Sequence, residues 1–415
     1  MNHTKIAFKG ANPVNRLSHV TRRFKTFILG TTGTVFLASC GINSPQDTWK
    51  PKGPNAQKID TLTRPVFAVA GIIGLIVVVA VTYSLIKFRD KGQPIPKQSH
   101  GNPALEITLT IIPALILAVV GVFTFRTVFD LNKTSDTQMI INVTGQQWWW
   151  EYDYPANNEY GITQPIITSG QLVIPAGTKV LLRETSRDVI HSYWIPALNG
   201  KRDAVPGRIT TNRIEADVPG IYAGQCTEFC GLSHANMRME AVALSKEDFA
   251  KWVSNQLKPY SAPAEGTLAK EGETVFLNQC TRCHQVNGLT RADGTPVIAA
   301  PDENVWSGAV PNLSHLMSRN TFAGAMFNLV TPECRKDVWK SDSATFGAKY
   351  LAGVSAECLN QTDLRGWLRN APAKKPMYSN PALLAATGGK YRGMPNLGLS
   401  ESDIEKLIAY LLTLK

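Results

Sequence analysis

The segment Cys226-Thr-Glu-Phe-Cys230-Gly-Leu-Ser-His234-Ala-Asn-Met237 is the stretch from which the rest of the chain is best interpreted. It places two thiols, an imidazole and a thioether in one short loop, and soft ligands of this kind select copper or zinc. The thioether favours copper, because structural zinc sites usually close with cysteine and histidine alone. A blue-copper centre would leave the second thiolate unused, so the loop predicts two copper ions bridged by both thiolates.

Each copper ion would still need an imidazole, and His191 is the upstream histidine that lies outside the N-terminal segment and the first interhelical loop. The alternative is a disulfide between Cys226 and Cys230, with His234 and Met237 as ordinary surface and core residues. The spacing C-x3-C-x3-H-x2-M, with three ligand types and a partner imidazole, favours the metal site.

The 415 residues are enough for two or three domains, and the formal net charge is +11. This charge does not indicate a nucleic-acid surface. The first forty residues contain six basic residues and no acidic one, so removing them lowers the net charge to +5. The six are Lys5, Lys9, Arg16, Arg22, Arg23 and Lys25.

This basic segment precedes an apolar run over 27–38 that is typical of a secretory signal. The run ends Leu37-Ala38-Ser39-Cys40-Gly41, which resembles a bacterial lipoprotein box. We therefore expect residues 1–39 to be a signal peptide and Cys40 to carry lipid. The alternative is a free or buried thiol in a retained signal anchor. Lipidation would fix this end of the chain to the outer face of a membrane.

Residues 40–62 are polar and predict a tether, and 63–130 predict a hairpin of two membrane helices. The stretches 66–86 and 107–125 contain no charge and are long enough to span a bilayer. The connector between them is rich in lysine and arginine, so the positive-inside rule places it in the cytoplasm and both flanks outside. Glu106 begins the second helix and has two interpretations, an interfacial carboxylate favoured by the helix dipole or a group for proton uptake.

Residues 131–258 change to short apolar runs separated by Gly, Pro and Asn, which predict an antiparallel β-sandwich or barrel. A Greek-key sandwich would bring His191 and the copper loop to one end of the domain. The runs are 139–143, 166–174, 179–183, 209–216 and 240–244.

Three consecutive tryptophans, Trp148 to Trp150, follow Gln147 in this domain. Alternate residues of a strand face opposite sides, so we expect at least one of the three indoles at the surface. An exposed indole beside a metal site could receive electrons. The alternative is ordinary packing with one ring at the membrane interface.

A small-residue linker over 259–266 precedes a third domain, 267–415, in which Cys280-Thr-Arg-Cys283-His284 matches the C-x-x-C-H haem attachment signature. The thiols would form thioethers to a haem, and His284 would bind its iron. The alternative is a redox-active or structural disulfide with an incidental histidine.

A methionine would complete an electron-transfer haem. Met394 is the first candidate, because it precedes a well-specified last helix with a capping box at Ser400 and Asp403. Met377 is the second candidate, and core packing is the alternative for either. The remaining cysteines, Cys334 and Cys358, lie in an insertion and are expected to form a disulfide outside the cytoplasm, the alternative being two free buried thiols.

Taken in order, the lipoprotein box, the helix hairpin, His191-Ser192-Tyr193, the copper loop and C-x-x-C-H resemble subunit II of a haem-copper cytochrome c oxidase with a fused cytochrome c domain. The resemblance implies a multi-domain chain: a two-helix transmembrane hairpin, a cupredoxin-like Greek-key β-sandwich with a binuclear CuA site, and an all-α class I cytochrome c domain. Its copper ligands would be His191, Cys226, Cys230, His234, Met237 and the backbone carbonyl of Glu228.

The resemblance also assigns roles to residues outside the copper ligands. The Glu228 side chain would bind a magnesium ion shared with subunit I, Trp148 would be the residue through which electrons enter, and Glu106 would lie at the mouth of a proton channel. Electrons would pass from a cytochrome or a quinol-oxidising complex to haem c, then to CuA, and then to subunit I, which reduces dioxygen.

The implied partners are the oxidase subunits I and III, the electron donor and the membrane, with no nucleic acid. The implied location is the bacterial inner membrane, with the CuA and haem domains on the periplasmic side. Two rival interpretations remain open from the residues: the CuA-bearing small subunit of a nitric oxide reductase and a membrane-tethered copper carrier.

Overall fold

The computed structural model describes residues 44–92, 94, 97–98, 100–291, 293–297, 310–379 and 392–415. Two helices, α1 (Pro54–Lys87) and α2 (Pro103–Leu131), are long and apolar enough to cross a membrane, and their most apolar stretches are not buried against protein. Each has proline in its first turn, where a backbone N–H has no helical partner in any case. The predicted pair of apolar helices is confirmed.

The predicted tether over 40–62 is wrong for its second half, because α1 already begins at Pro54. The first turns of this helix are held by the β-domain. Gly53 packs so closely on the Glu215 carbonyl that a Cβ atom would lie 2.0 Å from its oxygen. Asn55 is buried and donates a 2.6 Å hydrogen bond to the backbone of the β-domain. These polar residues therefore extend the membrane helix on the outer side.

The β-domain contains a five-stranded sheet of order β3-β2-β1-β5-β8 and a three-stranded sheet of order β4-β10-β9, with a separate β6–β7 pair. Apolar side chains alternate along the strands, as at Met139, Ile141 and Val143, and pack into one core with residues of the other sheet. The predicted β-sandwich is confirmed. The strands are β1 (Met139–Gln146), β2 (Trp149–Tyr154), β3 (Ile166–Ser169), β4 (Gln171–Pro175), β5 (Val180–Ser186), β6 (His191–Tyr193), β7 (Arg202–Ala204), β8 (Thr210–Ile214), β9 (Gly220–Gln225) and β10 (Arg238–Leu244).

The expectation of a purely antiparallel arrangement is wrong, because β1 pairs with β5 and β4 pairs with β10 in parallel. The run 166–174, predicted as one strand, is two strands in different sheets. They are divided at Gly170, whose φ of +77° is a left-handed conformation that favours glycine. This change of sheet is what allows the chain to return beside an earlier strand in the same direction.

Helix α3 (Lys246–Gln256) follows the sandwich. The third domain, which the sequence predicts to be a cytochrome and which we call the cytochrome domain, begins with α4 (Leu268–Gln279), capped by Thr267. Helix α4 packs on the last helix, α9 (Glu401–Leu411), so closely that a Cβ at Gly272 would lie 1.9 Å from the Lys406 carbonyl oxygen. Ser400 accepts a 3.1 Å hydrogen bond from Asp403 N, as the capping box predicts. Between them lie α5 (Pro332–Trp339), α6 (Phe346–Leu351), α7 (Gln361–Arg369) and α8 (Ala371–Lys374).

The all-α expectation for this domain needs one correction. A small hairpin, β11 (Thr321–Phe322) with β12 (Phe327–Asn328), interrupts the helices. Its turn contains three consecutive residues with positive φ, Ala323, Gly324 and Ala325. The tip of this hairpin reaches the sandwich, where a Cβ at Gly324 would lie 2.3 Å from the Trp148 carbonyl oxygen.

Residues 331–358 form the segment that we call the insertion, which contains α5 and α6. Cys334 and Cys358 are joined by a disulfide that closes it. Phe346 and Tyr350, both on α6, are buried in the apolar core of the sandwich and not in that of the cytochrome domain. The insertion therefore attaches the cytochrome domain to the sandwich.

Candidate functional site

Six sequence-predicted ligands of the copper loop and β6 converge at one end of the sandwich. The Sγ atoms of Cys226 and Cys230 are 3.8 Å apart, too far for a disulfide, and both thiols are buried. Nδ1 of His191 is 4.0 Å from Cys226 Sγ, and Nδ1 of His234 is 3.5 Å from Cys230 Sγ. Two further donor atoms approach the thiols: Met237 Sδ lies 3.8 Å from Cys230 Sγ, and the Glu228 carbonyl oxygen lies 3.3 Å from Cys226 Sγ.

Asp188 orients His191, a role that the sequence analysis missed. Its Oδ1 accepts a 2.8 Å hydrogen bond from His191 Nε2, which leaves Nδ1 facing Cys226. Oδ2 of Asp188 accepts a second bond, also 2.8 Å, from the Gln147 backbone N–H. A carboxylate behind a ligating imidazole is common in metal sites. The Asp-x-x-His spacing was the available sequence signal.

The two loop thiols affect each other's ionisation. The hydrogen bond between them lowers the pKa of Cys226 and, because the same proton is then shared, raises the pKa of Cys230. The pair therefore releases one proton readily and keeps the other. Metal binding to thiolates displaces protons, so this donor set fits soft cations that bridge both sulfurs.

The expectation of an exposed indole is wrong, because Trp148, Trp149 and Trp150 are 2%, 7% and 0% exposed. Trp150 lies in the core of the sandwich, as strand alternation requires. Trp149 faces the opposite side, where the cytochrome domain covers it, and Trp148 lies between the domains. Strand alternation predicts an exposed side chain only where one face of the sheet contacts solvent. Here a second domain packs on that face.

A large cleft in the cytochrome domain brings together Cys280, Cys283 and His284 with both candidate methionines, Met377 and Met394. It encloses about 1400 Å³ including its open mouth, and most of its other lining residues are apolar. The wall on the sandwich side includes Trp148 and Trp149. The attachment motif of one domain thus faces the tryptophans of the other.

The side chains of this cleft fit a haem. His284 Nδ1 donates a 2.8 Å hydrogen bond to the Pro311 carbonyl, which leaves Nε2 free to ligate a metal ion. Burial lowers the pKa of His284 and keeps the imidazole neutral. Arg319, which lines the cleft, is 4% exposed, and its Nε has no hydrogen-bond partner in the described part of the chain. Since haem carries two carboxylates, a buried guanidinium with an unused donor suits it.

The two candidate methionines lie close together. Met377 is 4% exposed, and its Sδ atom lies where a Cβ on Gly393 would come within 2.3 Å. Met394, the next residue, is half-buried and contacts the cores of both domains. The geometry leaves both residues available to a bound haem.

Polar contacts hold the two domains together, and no local sequence pattern predicted them. On one side of the interface, Arg335 of the insertion pairs with the buried Glu240 of β10, with Nη2 to Oε1 at 3.0 Å. Gln171 bonds to both Glu240 and the backbone N–H of Asn320, at 2.7 and 2.9 Å. On the other side, Lys375 is 2% exposed and burial lowers its pKa to about 7.

One predicted residue, Glu106, lies away from these clusters. Glu106 is exposed in the first turn of α2, where its Oε1 accepts a 3.3 Å hydrogen bond from Asn102 N. This contact caps the helix, as the first of the two interpretations of Glu106 expects. The Glu228 side chain is half-exposed beside the copper loop. Cys40 and the predicted signal 1–39 lie outside the described residues.

Family models of known proteins match the chain in three segments, which correspond to the helix pair, the sandwich and the third domain of the structure. A model described as the cytochrome c oxidase subunit II transmembrane domain matches residues 47–127, the periplasmic domain of the same subunit matches 139–243, and cytochrome c matches 269–328. Cytochrome c oxidase subunit 2 of Alkalihalophilus pseudofirmus is 33% identical over 92% of this chain and 94% of its own length. The subunit 2 proteins of Bacillus sp. strain PS3 and Bacillus subtilis are 30% and 31% identical, covering 79% and 64% of this chain and 79% and 78% of their own lengths.

The chain belongs to the cytochrome c oxidase subunit 2 family. It is the electron-transferring subunit of an oxidoreductase complex, with a cytochrome c domain fused to its C-terminal side. Membership implies CuA copper and haem as cofactors and a membrane-anchored chain with an extracellular domain. The predicted family, fold class and electron-transfer function are confirmed, and neither rival interpretation is favoured.

Proposed function

We propose that His191, Cys226, Cys230, His234, Met237 and the carbonyl of Glu228 hold the binuclear copper of this subunit. The support is their convergence, with every neighbouring donor pair within 4.0 Å. When bound there, a copper pair would supply one-electron chemistry, with the charge change spread over two metals. The protein's part is to keep the site dry and rigid: both thiols are buried, and Asp188 fixes the His191 ring.

We further propose that Cys280 and Cys283 attach the haem covalently and that His284 and Met394 ligate its iron, with Met377 as the alternative to Met394. The C-x-x-C-H spacing and the shared cleft support this assignment. The cleft is apolar around the proposed iron ligands and carries Arg319 on its wall, so it would exclude water from a bound haem, and Arg319 could pair with a haem carboxylate.

The observation that carries the function is the position of Trp148. Trp148 lines the haem cleft, and its Nε1 donates a 3.1 Å hydrogen bond to the carbonyl of the copper-loop residue Cys230. Because the fused domain covers this indole, an external carrier would have to deliver electrons to the haem and not to Trp148 directly. The proposed order is a cytochrome or quinol-oxidising donor, haem, CuA and then subunit I, where dioxygen is reduced.

Other assignments complete the proposal. Glu228 would bind magnesium shared with subunit I, because its side chain is half-exposed next to the copper loop. Glu106 would assist proton uptake from the cytoplasmic edge of α2. The chain would lie in the bacterial inner membrane with subunits I and III, with Cys40 lipidated and both redox domains in the periplasm, as the lysine- and arginine-rich connector predicts.

Electron paramagnetic resonance and optical spectra of the purified, copper-loaded protein test the proposal. We expect a mixed-valence binuclear copper signal together with a low-spin haem c spectrum, and copper reduction after reduction of the haem. A mononuclear copper signal would refute the ligand assignment. Covalent attachment would be refuted if acidic organic solvent extracted the haem from the protein.

A further inference from the structure

Four residues after α8, Lys375 to Tyr378, cross from the haem cleft to the copper loop, and we call them the bridge segment. Met377 lines the cleft and is buried. Ser233 of the copper loop donates a 2.5 Å hydrogen bond to the Pro376 carbonyl. The Tyr378 ring lies 5.2 Å from the Trp148 ring, centroid to centroid. Consecutive residues of one short segment therefore contact both redox sites.

Lys375 fixes the start of the bridge segment. Its ammonium donates 2.8 Å hydrogen bonds to the carbonyls of Trp148 in the sandwich and Ala323 in the β11–β12 turn. A buried ammonium is costly unless its donors are used, so these two bonds hold the segment against Trp148. The bond to the Trp148 carbonyl also restrains the position of the Trp148 indole.

The contacts on the copper side continue from Trp148 and Tyr378 to Cys230. Gln147 Nε2 and Trp148 Nε1 both donate to the Cys230 carbonyl, at 2.8 and 3.1 Å. A Cβ on Gly231, the residue after Cys230, would lie 3.4 Å from both the Trp148 ring and the Tyr378 hydroxyl. Van der Waals contacts and hydrogen bonds thus lead from Met377 to the copper ligand Cys230 through these two rings.

We propose that the bridge segment carries the electron from the haem to the copper pair, with Tyr378 and Trp148 as the final contacts before Cys230. This inference rests on the proposed function. One electron leaves ferrous haem and enters the oxidised copper pair, and no bond or proton changes place. Electronic coupling falls much faster through empty space than through bonded and closely packed atoms, so a continuous set of contacts determines the rate.

The rest of the interface is less suited to this role. The contacts of Arg319 with Ser169 and of Arg335 with Glu240 end on strands β3 and β10, at side chains that are not copper ligands. Arg392 approaches Asp188 at 3.9 Å, on the His191 side of the site, but it does not line the haem cleft. Trp148 of the sandwich also lines the cleft and bonds to Cys230, and among the described contacts that the cytochrome domain makes with the sandwich, those of the bridge segment reach both the cleft and the loop that carries Cys230.

The test compares Tyr378→Leu with Tyr378→Phe in the full-length protein loaded with haem and copper. A photoexcited ruthenium reductant reduces the haem, and the optical signal of the copper pair reports its subsequent reduction. Tyr378→Leu removes the ring beside Trp148 and should slow this step by roughly tenfold or more, because the electronic coupling between the two sites weakens. Tyr378→Phe keeps the ring and should retain the wild-type rate. Midpoint potentials of both sites should not change.

Lys375→Met provides a second variant, because it removes both hydrogen bonds while keeping the length of the side chain, and it should also slow the transfer. If Tyr378→Leu alters the copper resonance signal, Lys375→Met decides the question. Wild-type rates in the variants with intact spectra would overturn the proposal, as would equal slowing in Tyr378→Phe. A wild-type haem that never reduces the copper would instead refute the proposed function itself.

Discussion

Replacing Arg335 by methionine should open the domain interface in a strongly pH-dependent way. The variant leaves Glu240, whose side chain is 6% exposed, without its cation, while Gln171 remains as a hydrogen-bond donor. Removing one partner of a buried ion pair typically costs about 3 to 5 kcal/mol. Protonation of the Glu240 carboxylate removes the buried charge. The free energy of this protonation is therefore an upper limit to the cost of losing Arg335.

That limit follows from the ordinary pKa of glutamate, 4.5, to which Glu240 returns when the domains separate. Burial already raises the pKa of Glu240 in the docked protein, and loss of Arg335 removes the main opposing influence. Protonating the docked carboxyl costs about 1.36 kcal/mol per pH unit above 4.5, hence at most about 3.4 kcal/mol at pH 7 and about 0.7 at pH 5. Because docking raises the pKa of Glu240, docking weakens as the pH rises above 4.5, the ordinary pKa of glutamate. Tyr152 and Tyr350, the nearby phenols, stay neutral throughout because burial raises the pKa of each.

Hydrogen exchange of two interdomain amides measures this change. Asn320 N–H bonds to the Gln171 side chain and Arg238 N–H to the Gly324 carbonyl, so both amides exchange when the interface opens. Relative to wild type at the same pH, we expect up to about 300-fold faster exchange at pH 7 and about 3-fold at pH 5. The Val242 amide, inside the sandwich, is the internal control.

Adding Glu240→Gln to Arg335→Met removes the titrating group and should abolish the pH dependence. The reasoning would be refuted by acceleration of the same size at pH 5 and pH 7 in the single variant. It would also be refuted if the double variant kept the pH dependence, because the titrating group would then lie elsewhere.

Three further predictions concern other parts of the chain. Replacing Cys334 and Cys358 by serine opens a loop with a sequence separation of 24 and should lower the unfolding free energy of the haem domain by roughly 3 kcal/mol, measured by denaturant titration; an unchanged midpoint would contradict this. Met394→Ala should remove methionine ligation from the ferric haem spectrum while Met377→Ala retains it, and the opposite result would transfer the role to Met377. Glu106→Gln should slow turnover of the assembled oxidase without altering the copper resonance, whereas normal turnover would leave Glu106 as a helix cap only.

The convergence of the proposed copper donors was predictable because most of them lie in one loop. Cys226, Cys230, His234 and Met237 need only a short-range chain conformation to meet, so their spacing carries the information. His191 required the additional inference that a sandwich brings two loops to one end. Asp188 was missed because a carboxylate three residues before a histidine is common without a metal.

The docking of the haem domain could not be predicted in the same way. It depends on contacts between residues far apart in sequence, such as Arg335 with Glu240, and each of these residues is unremarkable in its local pattern. Lys375 shows the difficulty most clearly, because a lysine in a polar segment is normally exposed. The error over the exposed indole has the same origin, since alternation describes one sheet and not what packs on it.

The early start of α1 has a consequence for the whole molecule. Continuous helix joins the first turns after Pro54, which the sandwich holds, to the apolar residues of the membrane span, which begin after Pro65. The helix rises by about 18 Å between these two prolines. The length of this helical stalk, Pro54 to Pro65, determines the distance of the copper loop from the membrane. Adding a single residue would lift the domain by about 1.5 Å and also turn it by about 100°. The length of the stalk therefore fixes which side of the copper domain faces the neighbouring subunit.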